Sequence, residues 1–267
     1  MRGYPSLQEL YLSGEVNLED WNYIIKSLFS LHKKFEKFKG ETNPDAIKWL
    51  YYDKTKERLS DLRAQNPYWN EVLDREFEYI NGKKYRGIAS LKSGIDIYVQ
   101  KLCKTGKETV IHGDYCFSNI LFDSSNYNFK LVDPRGRLNN EPTIYGDPRY
   151  DIAKLRHSIA GFYDFIVHGL FRLKENKTGF EYEIKTSVDY SILEMIFNKY
   201  AELNGYNPQE IKFIEGLLFL SMIPLHKDNF SRQKVFYLKA IELLNDTVKI
   251  RGKLNNEKVL SLVRSRG

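Results

Sequence analysis

Three oxygen-bearing side chains fall close together in the stretch 110–136, VIHGDYCFSNILFDSSNYNFKLVDPRG. Asp114 closes the triplet His112-Gly113-Asp114, Asn119 follows five residues later, and Asp133 comes fourteen residues after that. A carboxylate, an amide and a second carboxylate are what phosphoryl transfer asks of a protein. One group orients, or takes the proton of, the attacking hydroxyl, and hard oxygen ligands hold Mg²⁺. Asp114 lies in a loop straight after the apolar pair Val110-Ile111 and suits the hydroxyl. Asn119 opens the next apolar run and can offer its side-chain carbonyl to the metal; Asp133 closes the third and can offer its carboxylate. Any one of them alone would be an ordinary turn or cap residue. It is the three at this spacing, with Gly113 between, that point to a site.

The same residues resemble the catalytic core of the aminoglycoside phosphotransferase and choline kinase-like family, itself distantly similar to protein kinases. The family's catalytic loop reads H-G-D, four residues, then N, and His112, Gly113, Asp114 and Asn119 stand at that spacing. Its metal aspartate follows a short apolar strand, as Asp133 does in LVDPRG. Further on, YGDPRYDIAKL resembles the segment whose aspartate, here Asp151, enters a helix and holds the catalytic loop's backbone. The resemblance implies Asp114 as catalytic base, Asn119 and Asp133 as Mg²⁺ ligands, ATP as co-substrate and a small-molecule acceptor, with His112 bracing the loop. The implied fold is the large, C-terminal lobe of a protein kinase-like enzyme. The acceptor could be a sugar, an amino alcohol or an aminoglycoside; the wording around DPRG and YGDPRYDIAKLRHS leans towards bacterial relatives found with surface-polysaccharide synthesis, and so towards a sugar-like acceptor. What the resemblance does not supply is the nucleotide lobe. Before residue 80 the glycines are Gly3, Gly14 and Gly40, so no phosphate-covering glycine-rich loop can be drawn, and no strand of the valine-alanine-isoleucine-lysine type is present. The opening GYPSLQEL looks like the segment just after the inter-lobe hinge. A separate chain or a further segment is therefore expected to supply that lobe. The rival expectation is a catalytically inactive, truncated kinase-like binding or scaffold module.

Four other residues are weaker candidates. Arg135 and Arg137 could reach a phosphate, although an arginine following an aspartate is more often in a local ion pair. His226 and Asp228 sit between two predicted helices, where an acceptor pocket could lie. His157, six residues beyond Asp151, is expected to be a hydrogen-bonded structural histidine. Cys116 lies inside the catalytic loop with no nearby base to make it a thiolate.

The elements that must position these groups are mainly helical, with a small β insert. Leu18 to Phe38 places Trp21, Ile24, Ile25, Leu28, Leu31 and Phe35 on one face, with Asn17 as N-cap and Gly40 as stop. Pro44 to Ala64 reads as a second helix, ended by Asn66-Pro67. Asn81-Gly82 is a hairpin turn between short extended pieces, and Ile88 to Cys103 is a helix leading into the motif. Val110-Ile111, Ile120 to Phe122 and Phe129 to Val132 read as short strands. Asp151 to His168, Asp189 to Gly205, Pro208 to Ile223 and Phe230 to Leu244 are predicted helices. Lys174 to Glu183 reads as a mobile loop, and the tail from Arg251 as a last short helix. The expected organisation is one domain over 1–267: a helical region over 1–108, the catalytic and metal loops over 109–136, and a second helical region over 137–267.

Lys and Arg number 41 against 35 Asp and Glu, a net charge of +6. The basic residues alternate with acids, as in KTKERLSDLR, and form no tract, so a nucleic-acid partner is not expected. Two cysteines, Cys103 and Cys116, make neither a disulfide framework nor a metal pattern and fit a reducing cytoplasm. The N-terminus lacks the apolar stretch of a signal peptide and no run is long enough to span a bilayer, so no membrane partner is expected.

Overall fold

The computed structural model describes residues 4–186 and 188–248. Its elements in chain order are α1 (Leu7–Ser13), α2 (Leu18–Phe35), α3 (Pro44–Lys48), α4 (Lys54–Gln65), α5 (Tyr68–Asp74), β1 (Phe77–Ile80), β2 (Lys83–Arg86), α6 (Ile88–Thr105), β3 (Thr109–Val110), β4 (Ile120–Asp123), β5 (Asn128–Leu131), β6 (Arg137–Leu138), β7 (Glu141–Pro142), β8 (Tyr145–Gly146), α7 (Pro148–Ile159), α8 (Tyr163–Val167), β9 (Phe171–Asn176), β10 (Gly179–Ile184), α9 (Ser191–Leu203), α10 (Pro208–Met222) and α11 (Phe230–Thr247). The protein is mainly α with short strands. The predicted tail helix beyond Arg251 lies outside the described residues.

The helices form where capping and periodicity place them. Asn17 caps α2 by accepting from Asp20 N–H at 2.9 Å, and Asn43 caps α3, which begins on a proline. The helix α2 ends at Phe35, one turn short of the predicted stop, and its buried face is turned from the one expected. Trp21, Ile24, Ile25 and Leu28 are buried as read, but Phe29 and His32 are buried too, and Leu31 and Phe35 are only half-buried. A five-residue π turn, Trp49–Asp53, joins α3 to α4. The extra residue per turn rotates the following face, so that Lys54 and Thr55, which a regular helix would leave with the polar residues, are buried.

The packing centres on α10, whose residues from Phe213 to Met222 are all buried against α4, α7 and α11. The buried apolar side chains form one contiguous cluster running from Leu7 to Val248. Every residue of α7 is buried, although it carries Arg149, Asp151, Lys154, Arg156 and His157. Burying such groups is tolerable only if they are paired. Arg149 pairs with Asp147 and Glu210, and Arg156 with Glu194 and Glu215. The predicted helix from Asp151 to His168 is broken at Ala160-Gly161-Phe162, where Phe162 has φ +58°. A Cβ on Gly161 would lie 2.5 Å from both Glu215 Oε1 and His157 O, so the chain passes there only as glycine.

Two further expectations are corrected. Lys174 to Glu183 is no loop: β9 and β10 pair antiparallel, with Lys174 opposite Glu181 and Arg172 opposite Glu183. Phe171 and Leu173 in β9, and Phe180, Tyr182 and Ile184 in β10, face the core at every second position with polar residues between them, an alternation that the charged turn region obscured. Its strand β10 runs parallel to β1, giving a four-stranded sheet in the order β2-β1-β10-β9. The region from residue 137 on is therefore not purely helical. The Asn81-Gly82 hairpin of β1 and β2 is as predicted, with both turn residues at positive φ.

Candidate active site

The site grows from two hairpin strands and one helix. In β4 and β5, Ile120 pairs with Leu131, and Val132 N–H donates to Asn119 C=O at 3.0 Å. That register brings Asn119, at the entrance of one strand, beside Asp133, just past the exit of the other. Arg135 N–H donates to His112 C=O at 2.8 Å and ties the Asp133 loop to the His112 loop. Both crossings are tight. Gly113 has φ +77°, and a Cβ there would lie 2.7 Å from Arg135 Cβ. Asp133 is itself left-handed, φ +54°, a conformation that costs a non-glycine residue on the order of 1 kcal/mol.

Helix α7 holds the loop by a stripe at positions i, i+3 and i+7. Asp151, fully buried, accepts from the backbone N–H of His112 at 2.7 Å and of Gly113 at 2.8 Å. Lys154 Nζ lies 2.9 Å from Asp114 Oδ1. Ser158 Oγ accepts from Phe117 N–H at 3.2 Å. The stripe thus grips the loop residue after residue in the order in which both are written. From the other side His32 Nε2 lies 3.3 Å from Asp151 Oδ2, while its Nδ1 faces Tyr206 Oη at 3.3 Å and Glu36 Oε1 at 3.6 Å. Burial alone would lower the His32 pKa; the Asp151 and Glu36 carboxylates facing its two nitrogens outweigh it and raise it.

Asp114 is the best-connected of the predicted groups. Its Oδ1 meets Lys154 and its Oδ2 accepts from Asn119 Nδ2 at 3.1 Å; Asn119 Nδ2 also donates to Asp114 C=O at 3.0 Å. Burial would raise the Asp114 pKa, but Lys154, Arg135 and Asn119 together bring it below the ordinary carboxylate value. The group is an ionised acceptor with 36% of its side chain exposed. For Lys154 burial opposes the charge, and Asp114 more than restores it. With Nδ2 spent on Asp114, the Asn119 carbonyl oxygen is left with a single 3.4 Å contact from Ser118 Oγ. The Asp133 carboxylate is exposed and makes no hydrogen bond or ion pair among the described residues.

The remaining candidates divide. Arg135 forms no ion pair among the described residues; its side chain crosses Gly113 and its guanidinium carbon lies 5.0 Å from the Tyr150 ring centroid. Arg137 is exposed on the small β6–β7 hairpin, at the rim of a crevice it shares with His112, Gly113 and Arg135. Asp228 is committed to Arg232 at 2.9 Å, and His226 packs edge-on to Phe236 and Tyr163, its pKa lowered by burial. His112 braces the loop through its backbone N–H; its buried ring nitrogens have no partner among the described residues. His157 is not hydrogen-bonded as predicted. It is wedged between Tyr163 and Phe219, with both nitrogens unpartnered among the described residues and the pKa pushed well down by burial. Burial pushes the Cys116 thiol up to about 11.

Lys154, Ser158, His32, Lys54 and Tyr150 were not singled out by sequence reasoning. For the first two a signal existed, since they stand three and seven residues beyond Asp151 and share its helix face. His32 likewise stands four residues after Leu28, on the predicted apolar stripe.

No protein-family model, curated protein or solved structure matches the chain. Among the described residues, no helix is long and apolar enough to cross a membrane.

Proposed function

We propose that the chain is the large, helical lobe of an aminoglycoside phosphotransferase-like kinase. In this reading it transfers the γ-phosphoryl group of ATP to a hydroxyl of a small, sugar-like metabolite. The observation that carries the proposal is the convergence of Asp114, Asn119 and Asp133, from two loops, at one end of the β4–β5 hairpin. Asp114 is partly exposed, the Asn119 carbonyl oxygen has one long contact, and the Asp133 carboxylate is unpaired among the described residues, while Asp151 and Lys154 hold the loop that carries the first two.

The donor set suits Mg²⁺. One carboxylate and one amide oxygen are few ligands, and among the described residues no cluster of three or more His, Cys, Asp or Glu side chains could hold a metal. A cation that keeps several waters and binds phosphate oxygens needs no more from the protein. Asn119 Oδ1 and the Asp133 carboxylate would hold it, and when bound it would neutralise charge on the β- and γ-phosphates.

The chain's own residues do the rest. Asp114 accepts the hydrogen bond of the acceptor hydroxyl and aims its oxygen at the γ-phosphorus. As the new O–P bond forms, the bond from phosphorus to the β,γ-bridging oxygen breaks, ADP leaves, and the hydroxyl proton passes to Asp114. A carboxylate with a lowered pKa is a weak base, but a largely dissociative transition state draws the proton late and asks for orientation more than basicity. Lys154 fixes the carboxylate and keeps a positive charge beside the transferring group. The lobe that would cover the ATP phosphates is assigned to a second chain or a further segment, so nucleotide binding by this chain alone is expected to be weak.

The test is calorimetric titration of ATP with and without Mg²⁺, on wild type and on Asp133→Asn, which keeps a residue tolerant of the left-handed backbone. Metal-dependent binding that the substitution removes supports the reading. Binding indifferent to Mg²⁺ or to the substitution would return the chain to the non-catalytic scaffold reading; no binding at all would sink a self-sufficient kinase and leave a missing partner lobe or that scaffold.

A further inference from the structure

Beside Asp114 lies a cluster of cations that, the Lys154–Asp114 pair apart, no carboxylate among the described residues matches. Lys54 of α4 and Arg135 of the metal loop lie against Tyr150, Arg58 stands one turn beyond Lys54 on α4, and Lys154 stands one turn beyond Tyr150 on α7. Lys54 is only 5% exposed, and its ammonium donates to Tyr150 Oη at 3.1 Å and lies 4.6 Å from that ring's centroid. Arg58, half-buried, gives Nη1 to the Ser221 carbonyl at 3.0 Å. The Arg135 guanidinium carbon lies over the Tyr150 ring, 5.0 Å from its centroid. Among the described residues, Lys54, Arg58 and Arg135 make no ion pair with any carboxylate, and the one acid in the group, Asp114, is paired with Lys154.

The contrast lies on the same helix. Arg149 and Arg156, which also belong to α7, are each matched by two carboxylates, as buried structural cations usually are. Burying an ammonium without a counter-ion is costly, and proteins bear such a cost where a ligand supplies the missing charge. The field is strong enough to work on its own members. Burial, with Arg135 and Arg58 nearby, brings Lys54 down to about 8. Burial would raise Tyr150, yet Lys54, Arg135 and Lys154 bring it down to about 7. The π turn before α4 is what points Lys54 inward, and π turns are often found at functional sites.

We propose that Lys54, Arg58 and Arg135 bind an oxyanion carried by the acceptor, a phosphate or a carboxylate, which sets a hydroxyl of the same molecule at Asp114. The acceptor is then an anionic sugar derivative, a sugar phosphate or a sugar acid, and not an amine. The inference rests on the phosphotransferase reading for the role of Asp114, but the anion site can be tested without it.

Glucose 6-phosphate, glucuronate and glucosamine are titrated calorimetrically into the full chain in moderate salt, without ATP or Mg²⁺. The titrations are repeated on Lys54→Met and Arg58→Gln, with folding checked by circular dichroism. Arg58 is half-buried and its variant keeps the assay informative if Lys54→Met misfolds. At least one anionic sugar is expected to bind saturably, glucosamine is not, and each variant is expected to weaken binding about tenfold or more, since a buried charge-assisted contact is lost. Binding of glucose 6-phosphate but not glucuronate would identify a phosphate site, and the reverse a carboxylate site. The proposal is overturned by preference for glucosamine, by no saturable binding of either anion, or by anion binding that both variants retain. Because these titrations contain no nucleotide, loss of the kinase reading in the Asp133→Asn experiment leaves their outcome separately legible.

Discussion

Asp151 is the residue on which the candidate site's geometry depends most, and replacing it tests that dependence directly. Its carboxylate accepts the N–H groups of His112 and Gly113 at 2.7 and 2.8 Å from a fully buried position, with His32 3.3 Å away. A hydrogen bond to a charged group is worth about 1.5–3 kcal/mol, and a buried donor left without a partner costs a similar amount. Asp151→Ala orphans two such donors and should destabilise the protein by about 3–6 kcal/mol, a large share of the ~5–15 kcal/mol typical of a folded domain. Asp151→Asn keeps one acceptor oxygen but turns an NH₂ towards the second N–H, so roughly half that loss is expected. The assay is urea unfolding followed by circular dichroism, with the midpoint shift at constant m read as the change in stability. Hydrogen exchange at the His112 and Gly113 amides should accelerate in both variants well beyond the global change. A loss below about 1 kcal/mol in both variants, with those amides still protected, would show that the loop is held by something other than Asp151.

Gly113→Ala places a side chain at φ +77° and a Cβ 2.7 Å from Arg135 Cβ, an atom too near the backbone to swing away. A loss of about 1–3 kcal/mol is expected, read as a lowered Tm, and an unchanged Tm would contradict the crossing of these two loops. The His32 pKa is raised in the fold, so its contribution to stability is fully present below the unfolded value of about 6.5 and is lost as pH rises through the folded value. Wild type should therefore weaken across that window, and His32→Gln should lack this component of the profile; parallel urea midpoints for the two proteins between about pH 5 and 9 would refute the assignment.

What the sequence determined by itself is local. The order Asp114, Asn119, Asp133 and Asp151, the Asn81-Gly82 turn, the Asn17 cap and the approximate extents of α6, α10 and α11 are set by residues a few positions apart. Their physics of caps, turns and alternating polarity is readable in a line of letters. Tertiary structure decided which charges face inward. A lysine has the same letter whether its stem lies on the surface or its ammonium is sealed against a tyrosine. The π turn that rotates Lys54 towards Tyr150, the helix α7 buried on every side, and the Lys154–Asp114 pair depend on partners dozens of residues away. The polar stretch 174–183 became a strand pair for the same reason, since β10 gains a neighbour in β1 that its own sequence does not announce. Burial is a property of the packed whole, and the environment it creates turns dispersed basic residues into one concentrated charge.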